Sequence, residues 1–295
     1  MAQKTTVAVG GRTLHVTNLD KVLYPDSGTT KADVLGYYAE IAPYLIDHAE
    51  WRPATRKRFV HGVGTAASPG PSFFQKNLEP GAPEWIVRYA IEHSDRTNVY
   101  PLVNDVATLV WLAQLSALEI HVPQWRFDER GERLNPDRIV LDLDPGDGVD
   151  LDGCAQVALW VRSALDELGL SAVPVTSGSK GIHLYAELPG EVTSDTASDL
   201  AHQLARLVEA EHPDQVVSGM AKALRPGKVF IDWSQNNGAK TTVAPYSLRG
   251  RYLPTVAAPR MWGELERPGL RQLTASEVLV RVKDAGDPLA AAGIS

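Results

Sequence analysis

Two hydrophobic periods run through the chain, and the changes between them mark the elements. Residues 7–9 and 13–16 alternate apolar and polar positions around Gly10-Gly11, which predicts a hairpin. Thr30-Lys31-Ala32-Asp33 reads as a helix cap, and Val34, Tyr38, Ile41, Ala42 and Leu45 follow at helical spacing. Residues 60–72 are rich in Gly, Ala, Ser and Pro and read as a loop between Arg56-Lys57-Arg58 and Phe73-Phe74. A helix over 106–117 and a strand over 119–122 come next. The middle of the chain has strands at 138–144, 173–176 and 182–188, with helices at 154–168 and 197–211. Further strands are predicted at 228–233 and 240–244. The short Gly-Ser loop between 173–176 and 182–188 predicts a hairpin, so the sheet should be mixed rather than all parallel. No internal repeat and no long linker interrupts the pattern. The expectation is one α+β domain over 1–295, a mixed or largely antiparallel catalytic sheet flanked by helices.

Composition narrows the setting. A hydrophobic content of 44% with 22% charged residues belongs to a folded globule. The single cysteine, Cys154, excludes an intrachain disulfide and any Cys-rich zinc site. No secretory signal is visible, and the charge-free apolar stretch 106–118 is too short for a bilayer, so a cytoplasmic protein without membrane contact is expected. The formal charge of −7 argues against nucleic acid as a partner, but it averages segregated segments. Residues 52–76 carry basic side chains and no acid, and 219–260 are almost as one-sided. The acids gather in 142–169 and 187–214. Placement of charge, unlike its total, suits nucleic acid and nucleotide.

Candidate chemistry starts at Ile139-Val140-Leu141-Asp142-Leu143-Asp144-Pro145-Gly146. On a strand, Asp142 and Asp144 project to one face and Leu141 and Leu143 to the other. Carboxylates crowded this way repel unless a cation or proton lies between them. Read alone, the segment is also compatible with an acidic turn. A second carboxylate, Asp232, ends the apolar run Val229-Phe230-Ile231, where an ion pair with a basic neighbour is the ordinary alternative. Together the three can hold two divalent cations of the Mg²⁺ or Mn²⁺ type, the usual device for phosphoryl or nucleotidyl transfer. Ser177-Gly178-Ser179-Lys180-Gly181 combines hydroxyls, a lysine and two glycines in a loop that suits phosphate, although it is not a Walker A motif and would serve equally as a hairpin turn. Lys222, Arg225, Lys228, Lys240, Arg249 and Arg251 surround Asp232 in sequence. His121 and His183 on strands are as compatible with a satisfied core as with a site.

As a set these residues resemble the polymerase domain of bacterial DNA ligase D, a member of the archaeo-eukaryotic primase superfamily acting in nonhomologous end joining. The resemblance is carried by Asp142-Leu143-Asp144, Ser177-Gly178-Ser179-Lys180-Gly181, Phe230-Ile231-Asp232-Trp233-Ser234-Gln235-Asn236 and Ala244-Pro245-Tyr246-Ser247-Leu248-Arg249. It extends through Asn18-Leu19-Asp20-Lys21-Val22-Leu23-Tyr24-Pro25, Arg52-Pro53-Ala54-Thr55-Arg56-Lys57-Arg58, Phe73-Phe74-Gln75-Lys76 and Leu118-Glu119-Ile120-His121-Val122-Pro123-Gln124-Trp125, covering about residues 17–279.

The resemblance implies a primase-polymerase-like fold with an N-terminal subregion, about 1–100, that contacts DNA and its 5′-phosphate, and a catalytic core over about 101–290. It implies a template-dependent nucleotidyltransferase that fills gaps and extends ends in double-strand break repair and prefers ribonucleotides. Asp142, Asp144 and Asp232 would hold two Mn²⁺ or Mg²⁺ ions. His121, Ser177, Lys180, Arg225, Gln235 and Arg249 would surround the nucleoside triphosphate, with His121 and Ser177 the candidates for sensing the 2′-hydroxyl. Asn18, Lys21 and Lys31 would hold the 5′-phosphate of a gapped or broken DNA, and Phe73 and Phe74 would stack on template bases. Implied partners are Ku and a DNA ligase, in the same polypeptide or separate, since the length has no room for a ligase module; the implied setting is the nucleoid. Two other functions share the motifs: a two-metal phosphohydrolase, and a non-catalytic module that binds or bridges 5′-phosphorylated ends.

Overall fold

The computed structural model describes residues 4–295. Its centre is a six-stranded sheet in the order Val216–Val217, Val229–Asp232, Arg138–Pro145, Ile182–Glu187, Ala172–Thr176, Ala258–Pro259. All neighbours are antiparallel except the first two, which run parallel, so the sheet is mixed as the loop lengths predict. Alternation along the central strand sorts its side chains between two cores. Ile139, Leu141 and Leu143 pack with the helices Leu151–Glu167 and Ser194–Glu211. Val140 points the other way, into a small cluster with Val175, Tyr185 and Val243. Asp142 and Asp144 share the face of Val140 and turn away from the helices.

A second sheet, ordered Thr242–Val243, Ala117–Val122, Thr55–Arg58, Phe73–Gln75, lies on that side. Val243 joins the two sheets: it belongs to the second and packs in the same cluster as Val140 of the first, and its carbonyl accepts a 3.2 Å bond from Tyr185 Oη. The second sheet is backed by the largest apolar cluster, to which the helices Lys31–Ala49 and Val106–Gln114 contribute Tyr38, Ile41, Leu45, Leu109 and Leu112. The fold is therefore α+β, two sheets meeting across a face that carries aspartates, with helices on the outer sides.

Local chemistry explains most boundaries. Thr30 accepts from the Asp33 amide while Asp33 returns a bond to the Thr30 amide, the reciprocal cap expected from the sequence. The helix predicted from 154 begins at Leu151 because Asp150 caps it through the Gly153 amide, and the one predicted from 197 begins at Ser194 under a Thr193 cap. The strand predicted over 228–233 stops at Asp232, where the chain winds into a short 3₁₀ turn, Trp233–Asn236. The 240–244 strand shrinks to Thr242–Val243. A hairpin of Arg88–Glu92 with Thr97–Pro101, absent from the sequence expectations, extends from the second sheet's side of the molecule.

Candidate active site

Register places the carboxylates. Asp142 stands directly across from Asp232 on one neighbouring strand and from His183 on the other. Asp144 lies two positions on, opposite Phe230. Like charges in direct cross-strand register are unfavourable, so the row needs neutralisation. Part comes from His183, whose Nε2 is 3.3 Å from Asp142 Oδ1. Gln235 supplies more, donating from Nε2 to Asp232 Oδ2 at 3.1 Å and to Asp142 Oδ2 at 3.5 Å. Asp232 Oδ1 accepts from the Ser234 amide at 3.0 Å and from the Ser234 hydroxyl, which itself receives the Lys240 ammonium. Among the described residues Asp144 has no such partner. Burial, and then the field of Asp142, push its carboxyl up to about 7, with His183 pulling the other way.

No group of three or more His, Cys, Asp or Glu side chains among the described residues converges on one ion position. Asp232 is turned toward Ser234 and Gln235, which explains why three carboxylates on one face do not yet meet at a point. The donor chemistry still fits a hard divalent cation: carboxylate oxygens only, on one face, with Asp144 driven toward its protonated form by burial and then by the charge of Asp142.

The Ser177–Gly181 loop abuts this row. The Ser177 amide donates to the Gly181 carbonyl at 2.9 Å, and the Ser177 hydroxyl accepts from the Ser179 and Gly181 amides at 3.3 and 3.2 Å. A Cβ on Gly181 would collide with the Leu143 carbonyl, between the two aspartates, so only glycine lets the loop sit this close. Lys180 at the tip is exposed and makes no hydrogen bond or ion pair among the described residues. Arg249 holds the loop from the other side, its Nη1 donating to the Ser177 carbonyl at 2.6 Å. Arg225 lies with its guanidinium 3.7 Å from the Phe230 ring centre, beneath Asp144, and its charge acts on that carboxyl.

On the second sheet, His121 Nε2 is 2.8 Å from Glu119 Oε2 and its ring meets Phe74 edge-on at 5.3 Å. Burial, ahead of the opposing pull of Glu119, lowers the His121 pKa. Phe73 and Phe74, both about half exposed, alternate on an edge strand and face different ways. Lys57 Nζ lies 5.6 Å over Phe74, on the His121 side, whereas Arg58 lies 5.5 Å from Phe73.

Arg58 leads to the third group. Its charge and that of Lys21 act on Lys31, a lysine only 4% exposed whose pKa is lowered to about 8, chiefly by burial. Lys31 opens its helix, and its amide donates to the Lys21 carbonyl at 2.8 Å. Asn18 takes a left-handed φ of 55° and accepts the Lys21 amide at 3.1 Å, and the Lys21 ammonium donates to the Val60 carbonyl. Two ammonium groups and an amide side chain thus cluster around one turn, apart from the carboxylate row.

The sequence reading gave Glu119, Lys57, Ser234 and His183 no role of their own and named Lys240 only within the basic stretch around Asp232. Glu119 had a visible signal: it stands two positions from His121 on a strand and shares its face. Ser234 had none, because its role depends on a 3₁₀ turn, Trp233–Asn236, that begins where the predicted strand over 228–233 ends.

The family model for the LigD primase-polymerase domain matches residues 30–289. The multifunctional non-homologous end joining protein LigD of Mycobacterium bovis is 51% identical over 93% of this chain, which spans 36% of that protein's length. The bifunctional LigD of Bacillus subtilis is 33% identical over 93% of the chain and 43% of its own length. Among solved structures, the polymerase domain of Mycobacterium tuberculosis ligase D in complex with DNA matches with a TM-score of 0.89 and 51% identity. That match covers 94% of this chain and 97% of the other.

Proposed function

This chain belongs to the LigD primase-polymerase family, and from that membership we propose that it is a template-dependent nucleotidyltransferase that fills gaps and extends broken DNA ends during nonhomologous end joining. The observation that carries the reading is the row Asp232–Asp142–His183 with Asp144 beside it, facing a Ser177–Gly181 loop that only glycine allows so near. Three carboxylates next to a part-exposed serine and an exposed lysine that has no partner among the described residues suit a triphosphate and its counter-ions better than a binding surface alone.

In this reading Asp142, Asp144 and Asp232 are the donors for two divalent ions, Mg²⁺ or Mn²⁺, which when bound neutralise the triphosphate and activate the primer 3′-hydroxyl. Ser177, Lys180 and Arg249 hold the triphosphate, and Arg225 and Gln235 position the carboxylates around it. His121, with Ser177, meets the ribose and favours its 2′-hydroxyl. Phe74 stacks on the template base beside the nucleotide, and Phe73 stacks on the side of the 5′-phosphate, which Asn18, Lys21 and Lys31 receive. Residues of about 1–100 then serve DNA contact and 101–290 catalysis. Ku and a DNA ligase are the partners and the nucleoid the setting; no helix of the described residues is long and apolar enough to cross a membrane.

Primer extension on a gapped duplex with a 5′-phosphate, supplied with Mn²⁺ and ribonucleotides, tests this. The native chain should lengthen the primer, and Asp232→Ala should lower incorporation by at least about a hundredfold while still binding the duplex. Undiminished extension by Asp232→Ala would sink the proposal, and shortening of the primer in place of lengthening would mark a hydrolase.

A further inference from the structure

We infer that Glu119 is a positioning residue that sets which hydrogen bond His121 offers to the sugar of the incoming nucleotide; this rests on the reading of His121 given above. Glu119 is 1% exposed, yet four donors surround its carboxylate. Oε1 accepts the Gly250 amide at 3.0 Å and lies 3.6 Å from the Lys57 ammonium. Oε2 is 2.8 Å from His121 Nε2 and 3.4 Å from Arg249 Nε. Burial alone would make this carboxyl hard to ionise, but the His121 hydrogen bond and the charges of Arg249 and Lys57 outweigh it and hold it far below the usual carboxylate range.

An ionised carboxylate can only accept, so the His121 proton must sit on Nε2. In the neutral ring, which burial favours, Nδ1 is then an acceptor. Nδ1 has no hydrogen-bond partner among the described residues, and the ring stands against Phe74 at the edge of the second sheet. An unpaired acceptor answers a hydroxyl and gains nothing from the C–H₂ of a deoxyribose. The same carboxylate braces Arg249, whose other end holds the Ser177 carbonyl, so one buried anion links the group that meets the sugar to the loop that meets the phosphates. Strand geometry makes the link stiff: Lys57 is the register partner of Glu119 and Thr55 that of His121.

The test combines a spectroscopic and a kinetic readout. In ¹⁵N-labelled native protein, the His121 ring should show a protonated Nε2 and a bare Nδ1 near neutral pH. Glu119→Gln keeps the shape but offers one carbonyl oxygen, which the Gly250 amide claims; the amide NH₂ then faces His121 and moves the ring proton to Nδ1. The ratio of kcat/KM for ribonucleotide over deoxyribonucleotide should fall at least about fivefold, mainly through a higher ribonucleotide KM. A native ring protonated on Nδ1 overturns the inference whether or not the variant folds. So does a folded Glu119→Gln protein that retains both the tautomer and the ratio. His121→Ala separates the two levels: a collapsed ratio there, beside an unchanged ratio in Glu119→Gln, defeats the role of Glu119 alone. An unchanged ratio in His121→Ala defeats the reading of His121 and this inference with it.

Discussion

Lys31 shows how a single side chain can be held in the folded chain at a cost in stability. It is almost fully buried, has no ion-pair or hydrogen-bond partner for its ammonium among the described residues, and lies in the fields of Lys21 and Arg58. Its folded pKa of about 8 is below the ordinary 10.5, so between those values the unfolded chain binds more protons. Stability contributed at this site is therefore missing below pH 8 and recovered as pH rises toward 10.5. Lys31→Met should raise stability at pH 7 by about 1–2 kcal/mol, with the gain shrinking by pH 10. The same change should reduce the preference for a 5′-phosphorylated gap over an unphosphorylated one. Melting curves at the two pH values and competition between the two duplexes check this; a variant less stable than native at pH 7 would contradict it. Some residues of this kind were legible in the sequence. Asp142 and Asp144 were, because a strand's period of two fixes their common face. The burial of Lys31 was not, since a lysine at a helix start normally lies in solvent.

The Ser177–Gly181 loop shows what an element adds to its residues. Gly178 adopts a φ of 68°, Ser177 folds its hydroxyl back onto two amides, and Gly181 touches the Leu143 carbonyl. The result is a turn pressed against the aspartate strand, leaving Lys180 free. Gly181→Ala would force the loop and that strand apart. The expected outcome is a nucleotide KM raised by about tenfold or more and a loss of about 1–3 kcal/mol in stability. Steady-state kinetics and thermal unfolding would show it, and a native KM would mean the loop need not lie so near. The start of the Lys31–Ala49 helix and the 173–188 hairpin were readable because a cap and a short loop are local signals, whereas the Asp150 and Thr193 caps went unread and those two helices begin three residues earlier than expected. The Arg88–Glu92 and Thr97–Pro101 hairpin was not, since the first strand is at most partly buried and the positions the second buries, Asn98, Tyr100 and Pro101, make no apolar period. Val216–Val217, the parallel edge of the main sheet, is too short to leave any period at all.

Across the whole molecule, net charge and local charge give opposite expectations for DNA. The chain carries −7, yet Lys57 and Arg58 lie against Phe74 and Phe73, Lys21 and Lys31 stand within the field of one another and Lys31 within that of Arg58, and the acids of Leu151–Glu167 and Ser194–Glu211 lie on helices behind the main sheet. Segregation of this sort lets one face bind phosphates while the other keeps the protein negative overall. If that face engages about four phosphates, affinity for a 5′-phosphorylated gapped duplex should fall on the order of a hundredfold between 50 and 200 mM salt. Replacing Lys21 with Met should lower the slope of log affinity against log salt by about one, because one fewer counter-ion is released. Removing acids from the Ser194–Glu211 helix, by Asp199→Asn for example, should leave the slope unchanged, since that surface faces away. A fluorescence anisotropy titration at several salt concentrations measures all three. An affinity indifferent to salt, or a slope that follows total charge rather than the position of the changed residue, would show that the phosphates are held elsewhere.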